Sequence, residues 1–110
     1  MNVVVRGVHV EITPEIRAHV DSQLVEPLAR LLPQRSVTLE VYLVDNPGTK
    51  GGHDKECRVN VFVPAARALH LSETSEDFLK SIHLLRHSLE SVAKRQLARW
   101  HDHHGGAPLT

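Results

Sequence analysis

The sequence contains a single cysteine, has only 4% aromatic residues, and shows no excess of either charge, since 13 Lys and Arg balance 13 Asp and Glu. One cysteine excludes an internal disulfide and is typical of proteins from a reducing compartment. The zero net charge excludes a polycation that binds nucleic acid through bulk charge alone. A nucleic-acid partner would therefore need a local concentration of basic residues.

Long apolar runs are also missing from the sequence. No segment approaches the roughly 20 apolar residues that span a bilayer, and the apolar stretch at the start is too short for a secretory signal peptide. We therefore expect a cytoplasmic protein without a membrane partner. The length of 110 residues predicts one domain, residues 1–100. Residues 101–110, rich in His and Gly, lack periodicity and are predicted to form a flexible tail.

Hydrophobic periodicity predicts a strand and then a helix in the first third of the chain. A cluster of valines within residues 1–10 favours a strand. Thr13 is a suitable N-cap for an amphipathic helix that extends to about Leu32. Pro27 lies inside this helix and predicts a kink or break shortly before it, because proline lacks a backbone N–H.

Three alternating segments and a second helix follow. The predicted strands cover residues 36–44, 57–63 and 67–73. Thr74 and Asp77 have the spacing of a capping box, which predicts that the longest helix begins there and continues to Trp100. This order predicts an α+β domain, β-α-β-β-β-α, with a four-stranded sheet covered on one face by two helices. The first strand is expected to join the sheet through a crossover.

The last predicted helix concentrates basic residues. From Leu79 to Trp100 it carries five Lys or Arg against one acidic residue, Glu90, and helical spacing places most of them away from the apolar stripe. We call the following residues the basic ridge: Lys80, His83, Arg86, His87, Lys94, Arg95 and Arg99. Such residues can bind phosphates, or they can complement the helix dipole and keep the outer face solvated, and the pattern alone leaves both interpretations open.

Several segments, in their order and spacing, resemble one known family. They are V-R-G-V-H-V-E-I-T-P-E-I-R, S-V-T-L-E-V-Y-L-V, R-V-N-V-F-V followed by A-L-H-L-S, D-F-L-K-S-I, and K-R-Q-L. Between Asn2 and Trp100 the chain resembles the ribosome hibernation-promoting factors and ribosome-associated inhibitors, also called sigma-factor modulation proteins. The resemblance implies a fold similar to double-stranded RNA-binding domains.

The resemblance also implies a partner and a mode of action. The protein would bind the small (30S) ribosomal subunit and its 16S rRNA in the mRNA and tRNA channel, under stress or in stationary phase. It would act sterically, with no catalysis, no cofactor and no DNA partner. The RNA-binding residues that the resemblance implies are Arg17, Lys94, Arg95 and Arg99. Lys80, His83 and Arg86 are added to this prediction because they belong to the same basic ridge. Because the resemblance is to short members without a dimerisation domain, we expect a monomer off the ribosome.

Other interpretations remain open. The chain could be a divergent RNA-binding or protein-binding module of the same fold that no longer binds ribosomes. Nine histidines also raise the possibility of a metal-binding protein, since His83 and His87 are four residues apart on one helix, and His101, His103 and His104 cluster in the predicted tail. No carboxylate or cysteine set completes such a site, so we predict no metal.

No catalytic constellation stands out in the sequence. It shows no Ser/His/Asp arrangement, no phosphate-binding glycine loop and no paired catalytic carboxylates, so we predict that the protein is not an enzyme. We expect Cys57 to be a buried core residue. His70 is expected to be a strand histidine with a satisfied hydrogen bond.

Overall fold

The computed structural model describes residues 1–32, 36–46, 54–64 and 66–100, with residues 97–100 described by their helical backbone. Its strands are β1 (Asn2–Val8), β2 (Thr38–Asp45), β3 (Lys55–Phe62) and β4 (Leu69–Ser75). The first helical segment comprises α1 (Pro14–Val20), a π-helical turn (Asp21–Val25) and α2 (Glu26–Leu31), and the last helix is α3 (Phe78–Trp100). The element order is the predicted one when the first helical segment is counted once.

The strands form one mixed sheet in the order β1-β2-β3-β4. β1 is parallel to β2, while the β2–β3 and β3–β4 pairs are antiparallel. A parallel pair requires a crossover connection, which the first helical segment provides. In the middle of the sheet Val5 pairs with Val41, Val41 with Val59, and Val59 with Leu71. The predicted α+β fold class is confirmed.

The hydrophobic core lies between the sheet and the helices. The fully buried residues of β2 and β3 alternate along each strand and are Leu39, Val41, Leu43, Cys57, Val59 and Val61. The helices contribute side chains that are at most 2% exposed, namely Val20, Leu24, Leu28, Ile82, Leu85 and Leu89. All of these residues belong to one cluster, so both helical units cover the same face of the sheet.

The first helical segment begins as predicted and changes its hydrogen bonding before Pro27. The Thr13 side-chain oxygen accepts a hydrogen bond from the backbone N–H of Ile16 at 3.2 Å. At the π-helical turn, the N–H of Glu26 donates to the carbonyl of Asp21, five residues back. The wider turn accommodates a proline, whose ring and missing N–H disfavour a regular α-turn. The irregularity thus lies where predicted, but it is a widened turn and not a break.

The last helix begins later than predicted. Thr74 lies in β4, where it pairs with Glu56, so it does not cap the helix. Instead, the carboxylate of Asp77 accepts the backbone N–H of Lys80 at 2.8 Å. The capping-box prediction is wrong because pairing with β3 holds Thr74 in an extended strand. For the same reason β4 covers Leu69–Ser75 and ends two residues later than predicted.

Candidate nucleic-acid interface

α3 presents the basic ridge on the side that faces away from the core. Ile82, Leu85 and Leu89 are buried against the rest of the domain. The exposed members of the ridge are Lys80, His83, His87, Lys94 and Arg95, and Arg86 is half-buried. From Lys80 to Arg95 the ridge extends about 22 Å at 1.5 Å per residue, long enough to contact several phosphates. The side chain of Arg99 lies outside the described residues.

The N-terminal half of the ridge carries two ion pairs within α3 or next to it. Lys80 Nζ lies 3.0 Å from a carboxylate oxygen of Glu76, and Arg86 Nε lies 3.3 Å from one of Glu90. Ion pairs with this exposure contribute only about 0–1 kcal/mol to stability. A phosphate group can therefore replace the Glu76 carboxylate at Lys80 at little cost, whereas the Nε atom of Arg86 that faces Glu90 is buried.

The C-terminal half of the ridge is not neutralised in this way. Lys94 and Arg95 are both exposed, and neither forms an ion pair with any side chain that the structure describes. Their position in the last two turns of α3 also complements the negative end of the helix dipole. Of the described ridge, this half is the most available to an anionic partner.

The first helical segment contributes two polar residues that sequence reasoning missed. The Oε1 atom of Gln23 lies 3.3 Å from Nδ1 of His83 and 3.4 Å from an Nη atom of Arg86. His19 Nε2 lies 3.2 Å from the carbonyl oxygen of Leu79. His19 and Gln23 are four residues apart, which placed them on one helical face, but no local pattern indicates that this face meets α3.

Arg17, the predicted contact on the first helical segment, is separate from the ridge. It is exposed and pairs with Asp21 at 3.1 Å. Among the described residues, no hydrogen bond or ion pair links it to α3. The structure thus joins His83 and Arg86 through Gln23 and leaves Arg17 apart.

The opposite face of the sheet is a poorer match for a phosphate backbone. Arg58 is paired with Glu56 at 3.1 Å, and the side-chain amide of Asn60 donates to Glu40 at 3.2 Å. Burial opposes ionisation of Glu56, but hydrogen bonds from Arg58 and Asn46 outweigh it and hold the pKa of the carboxyl below its usual value. A carboxylate that stays charged repels phosphate, so we assign the candidate interface to α3.

Cys57 and His70 have the structural roles expected of them. Cys57 is fully buried, and burial together with the charge of Glu56 raises the pKa of its thiol to about 12. The reactive thiolate is therefore suppressed at neutral pH. His70 Nδ1 lies 2.7 Å from the side-chain oxygen of Asn60, as expected of a strand histidine with a satisfied hydrogen bond.

Two other possibilities gain no support from the described residues. Within those ranges, no three His, Cys, Asp or Glu side chains converge to hold a metal ion. The rings of His83 and His87 are 5.0 Å apart, whereas the predicted tail with its histidines lies outside the described residues. In the part of the chain that the structure describes, no helix combines the length and hydrophobicity required to span a bilayer.

A family model and two solved structures agree with the family resemblance found in the sequence. The family model "Sigma 54 modulation protein / S30EA ribosomal protein" matches residues 3–101. The N-terminal domain of Thermus thermophilus Protein Y is 26% identical, with a TM-score of 0.66 over 86% of this chain and 98% of that one. A ribosomal subunit interface protein from Coxiella burnetii, 22% identical, shares the fold with a TM-score of 0.70 over 89% and 99% of the two chains. No curated protein sequence matched the chain.

Proposed function

The chain belongs to the sigma 54 modulation protein / S30EA ribosomal protein family, and we propose that it is a hibernation factor that binds the small (30S) ribosomal subunit. In this proposal it contacts 16S rRNA in the mRNA and tRNA channel and holds the ribosome idle under stress or in stationary phase. Family membership confirms that the protein is not an enzyme, and we propose that it inhibits translation sterically. In this proposal the protein acts in the cytoplasm, where its ribosomal partner lies.

The basic ridge is the observation that supports this proposal most directly. It gathers five Lys or Arg against one acidic residue on one helix, although the whole chain has zero net charge. A local cluster of this kind can neutralise phosphates without making the protein a general polyanion binder. Folded RNA is recognised largely through its shape, its phosphates and its 2′-hydroxyl groups, which suits a rigid helix face.

The ridge residues differ in whether they must break an ion pair in order to bind a phosphate. Lys94 and Arg95 form no ion pair with a side chain that the structure describes, so phosphate binding breaks none there. We therefore propose that they make the principal phosphate contacts. Lys80 would exchange its carboxylate partner for a phosphate. Arg86 would keep Glu90 at its buried Nε and contact phosphate through its Nη atoms. The remaining proposed contacts are Arg17, His83 and Arg99.

Co-sedimentation with purified small subunits across a salt series tests the proposal. We expect the protein to pellet with the subunits at low salt and to be released as salt rises, because binding releases counterions. Lys94→Glu combined with Arg95→Glu should weaken binding at every salt concentration. It should also reduce the slope of log affinity against log salt by roughly 1.4–1.8, since each of the two phosphate contacts contributes roughly 0.7–0.9 to that slope.

A matched double variant controls for the change in net charge. Arg6 and Arg67 are exposed and lie on β1 and before β4, away from the ridge. Arg6→Glu combined with Arg67→Glu changes the net charge by the same amount and should retain most of the binding and of the salt slope. Equal losses in the two double variants would contradict a specific role for the ridge.

A second candidate function is a module of the same fold that binds another RNA or a protein. It is favoured by the zero net charge and by the ion pairs of Lys80 and Arg86, which reduce the free positive charge of the ridge. The sedimentation experiment separates the two candidates. If folded protein fails to pellet with small subunits at low salt, ribosome binding is ruled out and the second candidate is favoured.

A further inference from the structure

The contact between His83 and Gln23 defines which nitrogen of His83 carries a proton. Arg86 can only donate hydrogen bonds, so the Gln23 atom 3.4 Å from its Nη must be the oxygen of the amide. The same oxygen lies 3.3 Å from Nδ1 of His83. An amide oxygen can only accept, and therefore Nδ1 of His83 must be the donor.

This tautomer determines what His83 can offer to a ligand. In a neutral imidazole only one nitrogen carries a proton, so Nε2 of neutral His83 presents a lone pair. A phosphate oxygen also presents lone pairs and gains no hydrogen bond from the neutral ring. When His83 is protonated, Nε2 becomes a donor while Nδ1 keeps its hydrogen bond to Gln23.

The surroundings of His83 favour an anionic ligand. On α3, Lys80 and Arg86 lie three residues before and after it, and the ring of His87 packs edge-on at 5.0 Å. Glu90, the nearest following acid on α3, is engaged by Arg86 at 3.3 Å.

Gln23 lies on the first helical segment, which faces α3. The ionisable residues nearest in sequence on the same helical face as Gln23 are His19 and Glu26. His19 Nε2 is directed at the carbonyl oxygen of Leu79, at 3.2 Å. Glu26 is exposed. Three cationic or protonatable residues of α3 therefore flank His83. The carboxylates beside them, Glu76 and Glu90, are already paired with Lys80 and Arg86.

We propose that His83 is a proton-coupled phosphate contact of the ridge, with Gln23 as the residue that positions its ring. The inference rests on the proposed function, since the phosphate belongs to the bound RNA. A phosphate near the ring favours its charged form, so binding takes up a proton. Affinity is then greatest where His83 is protonated and falls as pH rises and the proton is lost.

Binding to purified small subunits at pH 6.0, 6.8 and 7.6, at constant ionic strength, tests the inference. One coupled proton changes affinity by up to about tenfold per pH unit. We expect the pH dependence of the wild-type protein to exceed that of His83→Gln by at least about threefold over this range. Glutamine places a permanent N–H donor near the position of Nε2 and does not titrate.

His70→Gln is the matched control, because His70 is exposed on the uncovered face of the sheet. It should keep the wild-type pH dependence. Equal pH dependence in the wild type and His83→Gln overturns the inference while ribosome binding stands. Absence of binding at every pH overturns the proposed function and the inference together.

A measurement on the free protein tests the tautomer without ribosomes. Two-bond ¹H–¹⁵N spectra of the histidine side chains at pH 8 should show His83 protonated at Nδ1. Predominant protonation at Nε2 would overturn the inference even if ribosome binding is observed.

Discussion

At the scale of single residues, burial decides which reactive groups are chemically available. The thiol of Cys57 is fully buried between the sheet and the helices, where its charged form is disfavoured. The same residue in an exposed loop would be a candidate nucleophile. In this fold it is a small hydrophobic residue whose ionisation is linked to unfolding.

This linkage predicts that the protein loses stability in alkaline solution. The thiol pKa is raised from 9.0 to about 12 in the folded state, so the unfolded state loses its proton first as pH rises. The stabilisation is complete below about pH 9 and is lost between pH 9 and 12, with a slope of up to about 1.4 kcal/mol per pH unit. Urea unfolding at pH 8, 9 and 10 measures this slope.

Cys57→Ala is the comparison for that experiment. It should start about 1 kcal/mol or more less stable at pH 8, because it removes buried volume, and it should lose less stability towards pH 10. Equal slopes in the two proteins would contradict the assignment to Cys57.

At the scale of elements, the junction between β4 and α3 shows how hydrogen bonds fix the position of the ridge helix. Ser81 is fully buried, and its hydroxyl donates to the backbone carbonyl of Lys55 at 2.6 Å. It also lies 2.8 Å from the hydroxyl of Ser75. These contacts fasten the first turns of α3 to β3 and β4, and so set the orientation of the basic ridge.

Ser81→Ala should therefore destabilise the protein. The substitution removes the side-chain hydrogen bond to the Lys55 carbonyl and one partner of Ser75. Two lost hydrogen bonds at about 0.5–1.5 kcal/mol each cost about 1–3 kcal/mol. The free energy of unfolding from urea titration measures the loss. Ser91→Ala, at an exposed position of the same helix, should change it by no more than about 0.5 kcal/mol. Similar effects of the two substitutions would contradict this role of Ser81.

The boundaries of the elements were less predictable than their order. The alternation of β2 and β3 and the apolar stripe of α3 follow from local periodicity, and all three elements are present as predicted. The start of α3 was misplaced because Thr74 fits a capping box locally but pairs with Glu56 in the sheet. A pairing partner 18 residues away cannot be identified from a four-residue pattern.

At the scale of the whole molecule, one core supports both the sheet and the ridge. Leu24 from the π-helical turn and Leu85 from α3 are fully buried in the same cluster. Because α3 packs into the same hydrophobic cluster as the sheet, we expect the helix and the sheet to unfold together. The candidate interface is therefore expected to keep its position as long as the domain is folded.

We accordingly expect Leu85→Ala and Leu24→Ala each to lower the free energy of unfolding by about 2–5 kcal/mol. Far-ultraviolet and near-ultraviolet circular dichroism should report a single, coincident urea transition for each variant. Leu84→Ala, at a half-buried position beside Leu85, should cost less. Separate transitions in the two signals would contradict a single cooperative core.

The candidate site was predictable only in part. Helical spacing was enough to place Lys80, His83, His87, Lys94 and Arg95 on an outer face, because the apolar stripe of α3 must face the core. It did not identify Gln23, which is 60 residues before His83 in the chain and meets it only where two helices pack. Arg17 was placed on the correct helix, but no contact among the described residues connects it to the ridge.

The sequence by itself determined the order of the elements, the α+β fold class and the concentration of basic residues on one helix face. These properties depend on the period of hydrophobic residues, which is local. Tertiary structure alone decided that Thr74 belongs to a strand, that Pro27 follows a π-helical turn, and that Gln23 meets His83 and Arg86. Those outcomes depend on contacts between residues far apart in the chain, which exist only after the helices and sheet have packed around one core.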